Sequence, residues 1–329
     1  MTSATLPTPL RGVIPPLATP LADPDRLDHA GLERLIDHVL AGGVHGLFLL
    51  GTTGEAPALS YRLRCELIER ACDQVAGRVP VLVGISDTSL TESVQLAEHA
   101  ADAGAAAVVA TPPYYFPLSQ PEVAAYLEQL AAALPLPLFL YNIPSCARNP
   151  IDVDTLARLL DMPRIVGMKD SLGQMVFFHR LLQTVARRPD FTLLMGPEEL
   201  LGEATLLGAH GGICGGANLA PRLYVALYEA ARAGDLPRVR ALQTQVMRLS
   251  SSLYHVGGST TSAYLRGMKA ALSVLGLCGP TLAAPLQPFG PAEMERVRAA
   301  IDDLDLAADY ATTAGAGAGV CSPAVTESV

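Results

Sequence analysis

The stretch Ile165-Val166-Gly167-Met168-Lys169-Asp170 is a short apolar segment that ends at a lysine. The chain has only two lysines, Lys169 and Lys269, because 21 of its 23 basic residues are arginines. An arginine stays protonated at any workable pH, but a desolvated lysine can lose its proton and become a nucleophilic amine. We therefore consider Lys169 a candidate for Schiff-base formation. The alternative is a surface lysine that forms a salt bridge at a strand end.

Seven other short apolar segments resemble this one, and helical patterns separate them. Continuous apolar strands that alternate with helices are typical of a parallel sheet covered by helices. Eight such units predict an α/β fold, a (β/α)8 TIM barrel over residues 11–220. A doubly wound open sheet is the alternative, but Pro15-Pro16-Leu17 is not the glycine-rich turn that such a sheet carries after its first strand. The strands are predicted at 12–20, 46–50, 79–85, 106–110, 136–141, 165–170, 191–195 and 212–214.

The two ends of the chain differ from this alternating region. Apolar residues spaced near 3.6 at 223–232, 236–254, 261–275 and 291–304 predict a C-terminal helical subdomain over residues 221–306. Residues 1–10 are rich in Thr and Pro, and we expect a flexible N-terminus. Residues 307–329 are rich in Ala, Gly, Thr and Ser, which predicts a disordered tail.

Composition excludes several classes of partner. The net charge is −9 and there is no basic run, which argues against nucleic acid and anionic membranes. The uncharged stretches 103–121 and 129–147 are broken by prolines and polar residues, so they are poor membrane spans. The six cysteines form no CxxC pair, and the N-terminus lacks the pattern of a signal peptide. We expect reduced thiols and a cytoplasmic protein.

The residues at the carboxyl ends of the predicted strands carry chemistry, and barrel active sites lie at those ends. Hydroxyl groups, one amine and two carboxylates would converge there. Each has an alternative explanation when taken alone: the threonines as a helix cap, Tyr141 as a packing residue, and the two acids as first-turn residues favoured by the helix dipole. The set comprises Thr52, Thr53, Tyr114, Tyr115, Tyr141, Lys169, Glu198 and Glu199, followed by Gly215-Gly216 on the eighth strand.

Three motifs in this set resemble those of the dihydrodipicolinate synthase/N-acetylneuraminate lyase family. They are Gly51-Thr52-Thr53-Gly54-Glu55, Tyr141-Asn142-Ile143-Pro144 and Gly167-Met168-Lys169-Asp170, and they occur in the family's order at fitting spacing. The resemblance covers about residues 11–306. It implies a class I lyase or aldolase that forms a Schiff base with pyruvate or another 2-oxo acid, without a metal or an organic cofactor. The sequence itself has no HExxH or other metal-ligand spacing among its seven histidines.

The resemblance also implies a role for individual residues. Lys169 would form the Schiff base and Tyr141 would act as general acid and base. Thr52 and Thr53, with the backbone near Gly51, would bind the carboxylate of the 2-oxo acid and relay protons to Tyr141. Tyr115 of a neighbouring subunit would complete the relay, which implies a homotetramer built from tight dimers. Ile213 would help to line the pyruvate site.

The chain departs from the family where substrate choice is decided. Dihydrodipicolinate synthases carry an arginine two residues after the motif proline, whereas this chain has Cys146 there and its nearest arginine is Arg148. Sialic-acid lyases have an acidic pair where Glu198 and Glu199 stand, but their serine-bearing loop on the eighth strand is Gly215-Gly216 here. The stretch 167–171 also resembles 4-hydroxy-2-oxoglutarate aldolases.

These departures favour an aldolase or dehydratase of a 2-keto-3-deoxy sugar acid or a 4-hydroxy-2-oxo acid. In that case Glu198 and Glu199 would accept hydrogen bonds from substrate hydroxyls. One alternative is a 4-hydroxy-tetrahydrodipicolinate synthase in which Arg148 replaces the missing arginine. A second alternative, from a different class, is a non-catalytic protein that binds 2-oxo acids.

Overall fold

The computed structural model describes residues 5–306, and eight parallel strands form its central sheet. The first of them, β1 (Gly12–Val13), is followed by an antiparallel hairpin of β2 (Leu21–Asp23) and β3 (Arg26–Leu27) that lies outside this sheet. The remaining strands of the sheet are β4 (Leu47–Leu49), β5 (Val81–Gly84), β6 (Ala107–Ala110), β7 (Leu138–Asn142), β8 (Ile165–Asp170), β9 (Thr192–Met195) and β10 (Gly211–Gly212).

The sheet closes into a barrel. Each strand from β4 to β10 pairs in parallel with the next, and β10 pairs with β1. Beyond β1, Pro16 forms a parallel bridge with Phe48 of β4, and Leu17 N–H donates to the Phe48 carbonyl at 2.8 Å. The predicted (β/α)8 fold is confirmed. The first strand is only two residues long because prolines at 15, 16 and 20 have no N–H for a ladder.

Twelve α-helices connect and cover the strands within residues 5–306. Several begin at a side chain that accepts from the first turn, such as Asp28, Ser60, Ser89 and Thr260. The helices are α1 (His29–Ala41), α2 (Tyr61–Val75), α3 (Leu90–Asp102), α4 (Gln120–Ala133), α5 (Pro144–Ala147), α6 (Val153–Leu159), α7 (Met175–Val185), α8 (Leu201–Leu206), α9 (Pro221–Ala233), α10 (Leu236–Leu253), α11 (Thr261–Val274) and α12 (Pro291–Asp303).

Two apolar layers form the core. One fills the barrel, where Ile14, Phe48, Phe139 and Leu194 meet, and the other lies between the strands and the helices. Because side chains alternate along a strand, β7 sends Phe139 and Tyr141 into the barrel and Leu138 and Leu140 towards the helices. The barrel is therefore a packed interior, and polar groups collect at the ends of its strands.

The boundaries of the predicted parts need correction. Helix α9 packs against Val13 of β1 and Leu201 of α8, so it completes the outer ring and the barrel extends beyond residue 220. Residues near the N-terminus are also more ordered than expected, since Leu10 is buried and its N–H donates to Thr192 Oγ1 at 2.8 Å.

The tail predicted at 307–329 and residues 1–4 lie outside the described residues. Among the described helices, none is both long and apolar enough to cross a membrane.

Candidate active site

Lys169 and Tyr141 lie side by side at the carboxyl ends of β8 and β7. They are register partners, and Lys169 Nζ donates to Tyr141 Oη at 2.9 Å. Both side chains are 95% buried, and Nζ lies 4.0 Å from the centre of the Tyr141 ring and 5.4 Å from that of Phe48. No carboxylate within the described residues forms an ion pair with Lys169. The alternative of a salt-bridged surface lysine is therefore wrong.

The strands behind this pair are held in place by their own contacts. Gly167 leaves room for the Phe139 ring, because a Cβ at residue 167 would collide with it. One residue beyond this pair, Asn142 Nδ2 donates to Asp170 Oδ1 at 2.7 Å. Burial raises the pKa of Asp170 to about 6. The paired strands thus set the spacing between Lys169 and Tyr141.

The Gly51–Gly54 turn after β4 brings two threonine hydroxyls to the site. Thr52 Oγ1 lies 3.4 Å from Tyr141 Oη, whereas Thr53 Oγ1 lies 2.9 Å from Tyr264 Oη. The resemblance implies that both threonines bind the carboxylate and relay protons to Tyr141, and of the two hydroxyls it is that of Thr52 that lies near Tyr141 Oη. Thr53 points to the C-terminal helices instead, because successive residues of a turn face different directions.

A cavity of about 340 Å³ opens above the pair. Its wall contains Ile213 and hydroxyl groups from several loops. Lys169 is its only lysine, and no arginine of the described chain lines it. The polar residues of its wall are Thr52, Thr53, Tyr141, Ser145, Cys146, Lys169, Ser171, Glu198, Glu199, Ser250, Tyr254, His255, Ser259, Thr260, Thr261 and Tyr264.

Glu198 is part of this wall, but its oxygens are already occupied. Oε1 accepts from Tyr224 Oη at 2.5 Å and from Tyr254 Oη at 2.6 Å, and Oε2 accepts from the Gly216 N–H at 2.6 Å. Burial, and then the charge of Glu199, raise the pKa of Glu198 to about 7. The expectation that Glu198 offers acceptors to a substrate needs correction, since three protein donors already use them.

Gly215 and Gly216, which were expected on the eighth strand, lie in a 3-10 turn that follows β10, and both are packed against tyrosine hydroxyls. A Cβ at Gly215 would collide with the Tyr264 hydroxyl, and one at Gly216 would collide with that of Tyr224. The space beside these two glycines is thus filled by tyrosine side chains. These tyrosines were not predicted as site residues, because each stands in an ordinary helical pattern, where an aromatic residue indicates core packing.

The remaining predicted residues lie around the mouth. Cys146 is exposed and lines the cavity, and Glu199 accepts from Ser250 Oγ. Arg148 ends α5 with a φ of 61° and does not line the cavity, so the described chain does not bring it into the site. Tyr115 is 71% exposed. It does not line the cavity within the described chain.

A second cavity of about 330 Å³ lies on the other side of Tyr141 and is lined mainly by apolar atoms. It shares five residues with the first cavity: Thr52, Tyr141, Ile143, Cys146 and Thr261. Tyr114 forms part of its wall, and burial raises the pKa of Tyr114. Tyr141 thus lies in the wall of both cavities. Residues 5–306 contain no group of three His, Cys, Asp or Glu side chains placed to hold a metal ion.

Comparison with known proteins agrees with this geometry. The sequence model of the dihydrodipicolinate synthetase family matches residues 9–304. A 4-hydroxy-tetrahydrodipicolinate synthase of Thiobacillus denitrificans is 37% identical over 297 residues, 90% of this chain and 97% of that protein. The structure of dihydrodipicolinate synthase from Bacteroides thetaiotaomicron has a TM-score of 0.87 and 50% identity, covering 90% of this chain and 99% of that one. YagE of E. coli K12, solved in complex with pyruvate, has a TM-score of 0.85 and 30% identity, with coverage of 90% and 99%. The chain therefore belongs to the dihydrodipicolinate synthetase family and is a lyase of that family.

Proposed function

We propose that the chain forms a Schiff base between Lys169 and a 2-oxo acid, with pyruvate as the common substrate or product. The observation that carries this proposal is the 2.9 Å contact between Lys169 Nζ and Tyr141 Oη inside a cavity lined by hydroxyl groups. Burial favours the neutral form of an amine, and a neutral amine can attack a ketone. An arginine would not serve in this place because it does not lose its proton.

The reaction follows from the positions of the two groups. Attack of Nζ on the C2 ketone gives a carbinolamine, and loss of water gives an iminium. In cleavage, the electrons of the C3–C4 bond move into the iminium while the C4 hydroxyl loses its proton and an aldehyde leaves. Protonation of C3 and hydrolysis then release pyruvate. Tyr141 Oη moves the protons in these steps, and Thr52 at 3.4 Å passes them on.

The Gly51–Gly54 turn is the proposed site for the carboxylate of the 2-oxo acid. Within the described chain, the N–H groups of Thr52 and Thr53 donate to no protein acceptor, whereas those of Gly54 and Glu55 donate within the turn. Successive backbone N–H groups in a tight turn form a concave site for anions. Two free N–H groups beside two hydroxyls thus suit a carboxylate.

The far end of the cavity favours a neutral, hydroxylated chain. Among residues 5–306, its wall contains serine and threonine hydroxyls and no arginine, and Cys146 stands where a second carboxylate would need a cation. We therefore favour an aldolase or dehydratase of a 2-keto-3-deoxy sugar acid or a 4-hydroxy-2-oxo acid. A 4-hydroxy-tetrahydrodipicolinate synthase is the second candidate, supported by the name of the Thiobacillus relative. A non-catalytic binder is a third, and it would lack the Lys169 chemistry.

A homotetramer built from tight dimers remains part of the proposal. Tyr115 and Phe116 are 71% and 69% exposed, and their rings contact each other edge to face. Such an exposed aromatic pair suits a subunit interface. In the dimer, Tyr115 of one subunit would reach the Thr52 hydroxyl of the other through the apolar cavity beside Tyr141. We also propose the cytoplasm as the location, since the cysteines of residues 5–306 are free thiols.

Borohydride trapping tests the proposed function. Incubation with pyruvate and borohydride is expected to add one reduced adduct per chain, located by peptide mass at Lys169. Lys269 is the internal control and should stay unmodified. A protein that binds pyruvate without an adduct would be the non-catalytic binder. A screen of 2-keto-3-deoxy sugar acids and 4-hydroxy-2-oxo acids for pyruvate release then identifies the substrate.

A further inference from the structure

The second lysine of the chain is buried in an ion pair. Lys269 of α11 is 1% exposed and Glu55 is 2% exposed, and Lys269 Nζ lies 2.9 Å from Glu55 Oε1. Every other cation in an ion pair of the described chain is an arginine or a histidine. Burying two charges is costly, and replacing such a pair by apolar residues is often neutral for stability. Stability alone therefore explains the pair poorly.

The contacts of this pair join three segments of the chain. Lys269 Nζ donates to the Thr19 carbonyl at 2.5 Å and to the Thr281 carbonyl at 3.0 Å. Glu55 Oε2 accepts from the Ala283 N–H at 2.8 Å. The pair thus fastens the segment after β1 and the turn after β4 to the C-terminal region.

Glu55 is the last residue of the turn that carries the two threonines. Leu50 and Glu55, on either side of Gly51–Gly54, have φ values of 57° and 58°. Non-glycine residues occupy this left-handed region only where the surrounding structure holds them there. Thr19 Oγ1 donates to the Gly54 carbonyl at 2.7 Å, which adds a second hold on the same turn.

Helix α11 contacts this turn at two places. Tyr264 Oη lies 2.9 Å from Thr53 Oγ1, and five residues later on the same helix Lys269 pairs with Glu55. A helix that holds a short turn at two of its residues, Thr53 and Glu55, restricts the orientation of the whole turn. The same turn carries the threonine N–H groups and hydroxyls proposed to bind the carboxylate.

We infer that Glu55 and Lys269 are positioning residues, through which α11 holds the Thr52–Thr53 turn in the orientation that binds the carboxylate of a 2-oxo acid. The inference rests on the proposed function, because it takes the turn as the carboxylate site. Neither residue touches the substrate. Loss of the pair should weaken binding of the 2-oxo acid while leaving the Lys169 amine able to react at saturation.

The test uses the double variant Glu55→Gln/Lys269→Met, which removes both charges and keeps an acceptor for the Ala283 N–H. Two quantities are measured on the full-length protein: the pyruvate concentration that gives half of the maximal borohydride adduct, and the dissociation constant of pyruvate by calorimetry. Both are expected to rise about tenfold or more, which matches the loss of one aligned hydrogen bond to a charged group. The maximal adduct should remain one per chain.

Ile301→Ala is the matched control, since Ile301 is buried in α12 and does not contact the turn. It should lower the melting temperature and leave pyruvate binding unchanged. If the double variant binds pyruvate like the wild type, or if Ile301→Ala weakens binding equally, the inference is overturned. If the double variant does not fold, Glu55→Gln alone is measured and judged by the same criteria. This variant keeps Lys269 without a charged partner, and a buried lysine beside a neutral amide can lose its proton. If the wild type binds pyruvate but gives no adduct, only the proposed Schiff base is refuted. The comparison of pyruvate dissociation constants between the wild type and the variants then still decides the inference.

Discussion

Lys169 Nζ and Tyr141 Oη are 2.9 Å apart because their Cα atoms are register partners on adjacent parallel strands. Side chains at paired positions of two strands project to the same face of a sheet, so both enter the barrel. The register shift earlier along β7, between Leu138 and Phe139, brings the two residues opposite each other. An amine and a hydroxyl held in this way need no large rearrangement to share protons.

Replacing Tyr141 by Phe removes the hydroxyl and keeps the ring that contacts Lys169. We expect kcat for cleavage of the natural 2-oxo acid to fall by about 10²- to 10⁴-fold, the usual contribution of a positioned acid or base. Steady-state kinetics measures this. Tyr228→Phe is the control, because Tyr228 packs against His45 away from the cavity, and its kcat should stay unchanged. Equal kcat in Tyr141→Phe and the wild type would remove Tyr141 from the mechanism.

The two threonines should have separable effects when each is changed to Val. Thr52→Val removes the hydroxyl 3.4 Å from Tyr141 and is expected to lower kcat by about tenfold or more. Thr53→Val removes the hydroxyl 2.9 Å from Tyr264 and is expected to raise KM for the 2-oxo acid with a smaller effect on kcat. The reverse pattern, with kcat lost only in Thr53→Val, would show that the relay runs through Thr53.

The buried carboxyl of Glu198 should make stability depend on pH. Its pKa is about 7 in the folded protein, against an ordinary value of 4.5, so the folded state binds the proton more tightly than the unfolded chain. This contribution is fully present below about pH 4.5, is lost as the pH rises through about 7, and amounts to at most about 3 kcal/mol. The free energy of unfolding of Glu198→Gln, measured with denaturant, should therefore fall less steeply between pH 5 and 7 than that of the wild type.

The comparison of the two slopes is informative even if Glu198→Gln is less stable at every pH. The glutamine amide has a single acceptor oxygen, which cannot serve both the Gly216 N–H and the two tyrosine hydroxyls. Glu203→Gln, at an exposed position on α8, should keep the wild-type slope. If the unfolding free energies of Glu198→Gln and the wild type change in parallel with pH, Glu198 does not bind a proton in this range.

Gly215 should resist a side chain because of one tyrosine hydroxyl. A Cβ there would collide with Tyr264 Oη, so Gly215→Ala is expected to lower the free energy of unfolding by about 1–3 kcal/mol. The double variant Gly215→Ala/Tyr264→Phe should recover much of this loss. Gly215→Ala/Tyr224→Phe is the matched control, since Tyr224 faces Gly216, and it should recover nothing. Equal recovery in both double variants would contradict this assignment of the collision.

Cys146→Arg tests the basis of substrate choice. Cys146 lies at the mouth of the cavity and cannot form the charge-assisted contact that an arginine makes with a carboxylate. The variant should raise kcat/KM for condensation of pyruvate with aspartate semialdehyde by about tenfold or more. Arg148→Ala is the control and should leave the wild-type rate unchanged. A large loss in Arg148→Ala would show that Arg148 replaces the missing arginine after all.

The sequence predicted the barrel and the catalytic pair for different reasons. Eight apolar strands bury both faces, and a strand with that burial has to lie in a parallel sheet covered by helices, as β6 does. Lys169 stood out because lysine is so rare in this chain. The short helix α5 and the hairpin of β2 and β3 were not predicted, because elements of four, three and two residues are too short to show a period.

What the sequence determined by itself is the fold, the family motifs and the identity of Lys169 and Tyr141, since strand periodicity and local spacing are properties of neighbouring residues. Only the tertiary structure decided which threonine meets Tyr141, that Glu198 is held by tyrosines and that Lys269 is paired with Glu55. Those contacts join residues that are separated by between 26 and 214 positions in the sequence. Their geometry depends on how α9, α10 and α11 pack onto the end of the barrel, which no local pattern encodes.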